Sequence, residues 1–150
     1  MFIIRNKIFK ENELKAKDFE GTIFSSCRFG GAGLRLTYFN NCQFKTCDFS
    51  GARFDMTSSD KSKFPETKLS NLDFSEAKIN KCSFENAIVK NSVFVRLKDR
   101  DRNIKGKCDL KNCIFKNADL SQTVFIKCDL REVNFKESVL KDAAFDSCFL

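Results

Sequence analysis

A strict five-residue periodicity is the feature of this sequence that most constrains its fold. From Phe9 to Phe94 every fifth residue is large and apolar, apart from Ser59, and the series resumes in a shifted phase from Leu110 to Leu150. Sixteen of the 18 phenylalanines occupy these positions, which we call the centres. An α-helix repeats about every 3.6 residues and a flat strand every two, so a period of five fits neither. The sequence instead predicts short extended segments joined by regular corners.

Small residues occupy the position two before each centre, which we call the small slot. From Thr22 onward it holds Ala, Cys, Ser or Thr at 22 of 24 repeats, with Leu72 and Val133 as the exceptions. Two residues after the centres stand half of all the glycines and asparagines, residue types that tolerate the positive φ of a corner. They are Gly21, Gly31, Gly51, Asn41, Asn71, Asn86, Asn91, Asn112 and Asn117. Each repeat therefore combines a large apolar residue, a small residue and a turn.

Stretches such as Cys47–Gly51 and Ala118–Gln122 resemble the A(D/N)LXX unit of the pentapeptide-repeat family. The resemblance covers about residues 9 to 150 and implies one domain, 1–150, with an all-β fold. That fold is a right-handed quadrilateral parallel β-helix of about six to seven coils, with coils at about 9–94 and 108–150. Four repeats make one coil, so residues 20 apart should lie above one another. At about 4.8 Å per strand, the rod would be about 30 Å tall.

One charged segment interrupts the repeat. Between residues 95 and 107 neither centres nor small slots continue, and removing 11 residues restores the register, which predicts an inserted surface loop of about that length. Its charge is +4 of the chain's +7. A solvated loop without a role is one interpretation, and a partner-binding loop is the other. In the second interpretation the contacting residues are Arg96, Lys98, Arg100, Arg102, Lys105 and Lys107.

The stretch from 55 to 63 contains the single polar centre. Thr57 and Ser59 stand where the core should be filled. We expect a bulge or a widened corner there.

The residue types argue against catalysis and against metal binding. All eight cysteines occupy small slots, so we expect buried free thiols that pack like small apolar side chains. The chain has no histidine and no CxxC pair, which removes the usual zinc ligands and the commonest general base. Aspartates just before centres, such as Asp48 and Asp119, are expected to hydrogen-bond corner amides. We therefore expect no enzymatic activity and no cofactor.

Neither a signal peptide nor a membrane span is predicted. The longest early apolar run, Phe2–Ile4, is far too short for either. We expect a cytoplasmic protein, or else an effector that is exported by a signal of another kind.

Within the pentapeptide-repeat family, the chain resembles the quinolone-resistance (Qnr-type) proteins, in segments such as Cys27–Phe29 and Leu140–Phe145. That resemblance implies a dimeric protein that binds DNA gyrase and topoisomerase IV and confers fluoroquinolone resistance. Exposed apolar ends of solenoids need a cover, so Cys148, Phe149 and Leu150 predict either an end-to-end homodimer through the C-terminal coil or a truncated chain. The alternative function is a basic scaffold or effector that binds nucleic acid or an anionic membrane.

Overall fold

The computed structural model describes residues 2–95 and 108–150, with Cys108 and Asp109 described by their backbone only. In these ranges the regular structure consists of short β-strands. They are β1 (Ile3–Arg5), β2 (Asp18–Glu20), β3 (Ile23–Ser25), β4 (Tyr38–Asn40), β5 (Gln43–Lys45), β6 (Ser58–Asp60), β7 (Lys78–Asn80), β8 (Val93–Val95), β9 (Cys108–Asp109), β10 (Val124–Ile126) and β11 (Ala144–Asp146).

Three parallel sheets run along the molecule, with strand orders β1-β3-β5, β2-β4-β6-β7-β9 and β8-β10-β11. Phe24 lies between Ile4 and Phe44, so the stacked residues are 20 apart in sequence. The remaining side of the rod is joined by single parallel bridges in place of a sheet, for example from Arg28 to Asp48 and from Asp48 to Lys68. The predicted four-sided parallel β-helix is confirmed.

We number the four sides of the rod in chain order, each by its column of centres. The first side has Ile4, Phe24, Phe44, Phe64, Phe84, Phe115 and Phe135. The second has Phe9, Phe29, Phe49, Leu69, Val89, Leu120 and Leu140. The third has Leu14, Leu34, Phe54, Phe74, Phe94, Phe125 and Phe145. The fourth has Phe19, Phe39, Ser59, Ile79, Leu110, Leu130 and Leu150.

The corners have the backbone conformation that the sequence predicts. All nine of the glycines and asparagines named above have positive φ, between 52° at Asn41 and 81° at Gly51. Larger residues adopt the same conformation, including Leu36 (φ 59°) and Met56 (φ 55°). The left-handed region costs an ordinary residue about 1–2 kcal/mol. Hydrogen bonds between stacked corners help to hold it, for example from the amide of Leu36 to the carbonyl of Met56 (3.2 Å).

The core is a continuous stack of aromatic rings. On the first side, Phe44 lies parallel to Phe24 and to Phe64, with ring centroids 4.9 Å apart in both cases. Rings on adjacent sides meet edge to face, as between Phe24 and Phe29 at 5.6 Å. Both geometries are preferred by aromatic pairs. The lopsided phenylalanine content is therefore explained by a core that repeats one kind of contact.

The predicted register shift is confirmed on three of the four sides, where the coil before the interruption pairs with the coil after it. Phe94 pairs with Phe125 and Ser83 with Ile114, a separation of 31 residues that equals one coil of 20 plus the 11 extra residues. On the fourth side, at β9, Ile79 pairs with Cys108, so the separation there is 29 residues (108 − 79) instead of 31. The predicted loop residues from 96 to 107 lie outside the described residues.

The expected bulge at residues 55–63 is wrong. Ser59 lies in β6 and pairs with Phe39 and Ile79 in the regular register. It is buried, and its hydroxyl lies 3.5 Å from the Sγ of Cys82. A polar centre is tolerated because a polar partner from the next coil approaches it.

Candidate interaction surfaces

The interior of the rod is filled by side chains. Nine phenylalanines, among them Phe44 and Phe115, are less than 2% exposed. The depressions on the outside are open to solvent, such as the one between Arg53, Asp55 and Glu76. No three His, Cys, Asp or Glu side chains within 2–95 and 108–150 are grouped so as to hold a metal ion. No helix in the same ranges is long and apolar enough to cross a membrane.

The small slots hold a ladder of buried hydrogen bonds that sequence reasoning missed. The hydroxyl of Thr37 donates to the carbonyl of Leu14 at 2.6 Å, and that of Thr67 donates to the carbonyl of Phe44 at 2.6 Å. Both acceptors are 23 residues earlier, which places them in the coil above. Thiols take the same role, as from Cys47 to the carbonyl of Phe24 at 3.4 Å. The sequence contains a signal for these bonds, because the slot holds Cys, Ser and Thr as well as Ala. The side chains of Cys, Ser and Thr can each donate a hydrogen bond.

The thiols of Cys42 and Cys47 are poor nucleophiles in this setting. Cys42 and Cys47 are free and buried. Burial raises the pKa of the Cys42 thiol to about 11 and that of the Cys47 thiol to about 12. The thiolate is the reactive form, so these cysteines are structural at neutral pH.

Aspartates before the centres cap the turns that follow them, as the sequence predicts. The Oδ1 of Asp48 accepts a hydrogen bond from the amide of Ser50 at 2.8 Å, and Asp119 accepts one from the amide of Ser121 at 3.1 Å. Burial opposes ionisation of Asp48, but these bonds to Ser50 and the nearby Lys68 and Arg28 together lower its pKa. The carboxylates therefore serve the corners of the β-helix.

The fourth side carries a row of acids and amides that stack at the 20-residue spacing. The Nδ2 of Asn40 donates to Glu20 at 2.5 Å, and the Nδ2 of Asn80 donates to Asp60 at 2.5 Å. A carboxylate stacked on an amide accepts a hydrogen bond from it, whereas two stacked carboxylates would repel each other. This pairing was visible in the sequence as an alternation at positions 20 apart.

The predicted sites have different outcomes. The loop residues Arg96, Lys98, Arg100, Arg102, Lys105 and Lys107 lie outside the described residues, so that site stays a prediction. Of the predicted dimer end, Cys148 is half-buried and its thiol donates to the carbonyl of Phe125 at 3.2 Å. Phe149 and Leu150 are 61% and 83% exposed. The ring of Phe149 lies under the guanidinium of Arg131, at 5.7 Å.

The last coil exposes further apolar side chains beside these two. Val139, Leu140 and Phe145 are each more than a third exposed. In earlier coils the equivalent centres Leu120 and Phe125 are fully buried. The C-terminal coil therefore exposes a group of apolar side chains.

Comparison with known proteins agrees with this geometry. A model of the pentapeptide repeat region matches residues 17–94, and a model of eight copies of the pentapeptide repeat matches residues 107–150. Among curated proteins, none matches the chain.

Two solved structures with this fold are trypsin-treated variants of QnrB1, described as a plasmid-mediated fluoroquinolone resistance protein. The first is 22% identical with a TM-score of 0.70, and the second is 20% identical with a TM-score of 0.70. Each alignment covers 98% of this chain and 69% of the other. Repeat, register and family models agree, and the chain belongs to the pentapeptide-repeat family.

Proposed function

We propose that this protein is a non-enzymatic interaction module whose partner is a bacterial type II topoisomerase, DNA gyrase or topoisomerase IV. On this proposal, binding protects the enzyme from fluoroquinolones. The observation that carries the proposal is the filled core, because a solenoid without an internal pocket offers a partner only its sides, its ends and its loops. The fold shared with the QnrB1 structures supports the choice of partner. The protein would meet its partner in the cytoplasm.

The contact that we propose is the basic segment with Arg96, Lys98, Arg100, Arg102, Lys105 and Lys107. These six cations contribute most of the excess positive charge of the chain. Charge of this kind speeds encounter with an acidic partner surface and selects against basic ones. The 31-residue register between Phe94 and Phe125 keeps the coils stacked across the segment, so its charges can be changed without altering a centre.

The test is gyrase supercoiling in the presence of a fluoroquinolone, with wild type and two variants. In the first variant the six loop cations are changed to Gln. The control variant changes six exposed lysines of the third and fourth sides and their corners to Gln, namely Lys15, Lys17, Lys61, Lys78, Lys81 and Lys127. We expect wild type and control to restore supercoiling and the loop variant to lose the effect. No protection by wild type at micromolar protein would contradict the proposal.

We further propose that a second copy covers the exposed apolar side chains of the last coil. Phe149 and Leu150 are too exposed to contribute to the core of one chain, and burying apolar area of this kind drives homodimer formation. Sedimentation equilibrium tests this. Phe149→Glu should give a monomer, whereas Ile8→Glu, at a similarly exposed apolar position in the first coil, should leave the dimer intact. A monomeric wild type would overturn the dimer.

A further inference from the structure

Charge is distributed unevenly among the four sides of the rod. The flanking positions, one before and one after each centre, project outward and alternate with the buried centres. On the second side they carry five cations against Asp48 and Asp119. On the third they carry three cations against four carboxylates. The first side has the largest excess of positive charge at its flanking positions.

On the first side a single carboxylate stands among five cations. Glu85 lies 3.8 Å from the Nζ of Lys116, which neutralises it. Within the described residues, Lys45, Lys63 and Lys136 have no carboxylate within ion-pair distance and are exposed to solvent. The five cations are Arg5, Lys45, Lys63, Lys116 and Lys136. They extend over the first to the last coil, about 29 Å at the usual strand spacing.

Isoleucines project from the same flat side between these cations. Ile3 and Ile114 are 40% and 36% exposed, and Ile23 is half-buried beneath Ile3. These outward side chains place aliphatic surface beside the cations of the first side. A flat surface that combines cations with aliphatic side chains matches the boundary between lipid headgroups and acyl chains.

From this combination we propose that the first side is a peripheral binding surface for anionic lipid membranes. The flanking positions of this side hold aliphatic residues and no aromatic ones, whereas proteins that bind single-stranded nucleic acid stack bases on aromatic rings. Four of the five cations are lysines, which act as point charges and lack the fork that reads phosphate or guanine in pairs. A bilayer surface is flat on the scale of this side, whereas a duplex is a grooved cylinder. The proposal concerns a surface other than the loop and is independent of topoisomerase binding.

Co-sedimentation with lipid vesicles tests the proposal, using the full chain. One vesicle contains phosphatidylcholine alone, and the other also contains about one third phosphatidylserine. The first-side variant carries Lys45→Glu, Lys63→Glu and Lys136→Glu. The control variant carries Lys15→Glu, Lys78→Glu and Lys127→Glu, which change the net charge equally on exposed positions of the third and fourth sides and the corner between them. Melting temperatures establish that both variants fold.

We expect wild type and control to bind the anionic vesicles, to ignore phosphatidylcholine, and to bind less at physiological than at low ionic strength. Each basic residue near an anionic leaflet strengthens binding about fivefold, so the first-side variant should bind at least a hundredfold more weakly. Equal loss in both triple variants would assign binding to net charge and overturn the proposal. So would binding to duplex DNA without binding to the anionic vesicles.

Discussion

At the scale of single residues, the small slot does more than leave room for the rings. Thr67 shows both parts of its role: its hydroxyl donates to the carbonyl of Phe44 at 2.6 Å and accepts from the amide of Cys47 at 3.1 Å. Both partners belong to the coil above. A hydroxyl in this slot therefore joins two coils through backbone groups that are buried and cannot reach water.

Replacing Thr67 by Val should test this role, because the shape is kept and the hydroxyl is lost. An unsatisfied buried amide costs about 1–3 kcal/mol. We expect the free energy of unfolding, measured in urea, to fall by about that amount. Thr22→Val is the matched control, since the hydroxyl of Thr22 makes only a long bond, 3.4 Å, to the carbonyl of Glu20. Equal losses at both positions would contradict the role of the hydrogen bonds.

The buried thiols predict a loss of stability at alkaline pH. Burial raises the pKa of Cys42 to about 11 and that of Cys47 to about 12, from 9.0. Above pH 9 the unfolded chain loses these protons while the folded chain keeps them, so unfolding becomes easier as the pH rises from 9 towards 11 or 12. Denaturant melts across this range should show a shallower decline in a Cys42→Ala, Cys47→Ala variant than in wild type. Parallel declines would show that other groups are responsible.

At the scale of elements, each side of the rod is a stack in which a centre supports the coils above and below. Phe84 lies between Phe64 and Phe115, with ring centroids at 5.1 and 4.9 Å. It is fully buried. Phe145 is also a centre, but it belongs to the last coil. Within the described residues its ring stacks on one other ring only, that of Phe125 at 5.1 Å, and it is 38% exposed.

Phe84→Ala should therefore cost about 3–5 kcal/mol of unfolding free energy as a cavity in the core. Phe145→Ala should cost clearly less, because part of its ring is already in water. Thermal and urea melts of both variants measure the difference. An unchanged melting temperature for Phe84→Ala would contradict its interior placement.

The sequence predicts these elements well because the same residue types recur at the same place in every repeat. The centres, the corners at Gly51 or Asn41 and the 31-residue register all follow from spacing alone. A polar centre such as Ser59 predicts a bulge when only its neighbours in sequence are considered, but its partner Cys82 lies 23 residues later. The hydrogen bonds of the small slot were missed for the same reason. Such contacts between coils become visible only once residues 20 and 23 apart are compared.

At the scale of the whole molecule, the rod presents chemically different sides around one uniform core. The fourth side stacks acids with amides, the first side combines lysines with isoleucines, and the last coil exposes apolar side chains. The core contributes stability and the outside carries the capacity to bind. We expect substitutions at flanking positions to change the chemistry of the surface without disturbing the fold.

Equilibrium binding of the purified protein to purified gyrase tests the proposed function most directly. Titrations compare wild type, the variant with the six loop cations changed to Gln, and the six-lysine control. We predict micromolar or tighter binding for wild type and control, and a much weaker complex for the loop variant. Failure of wild type to bind, or equal binding by all three proteins, would contradict the account.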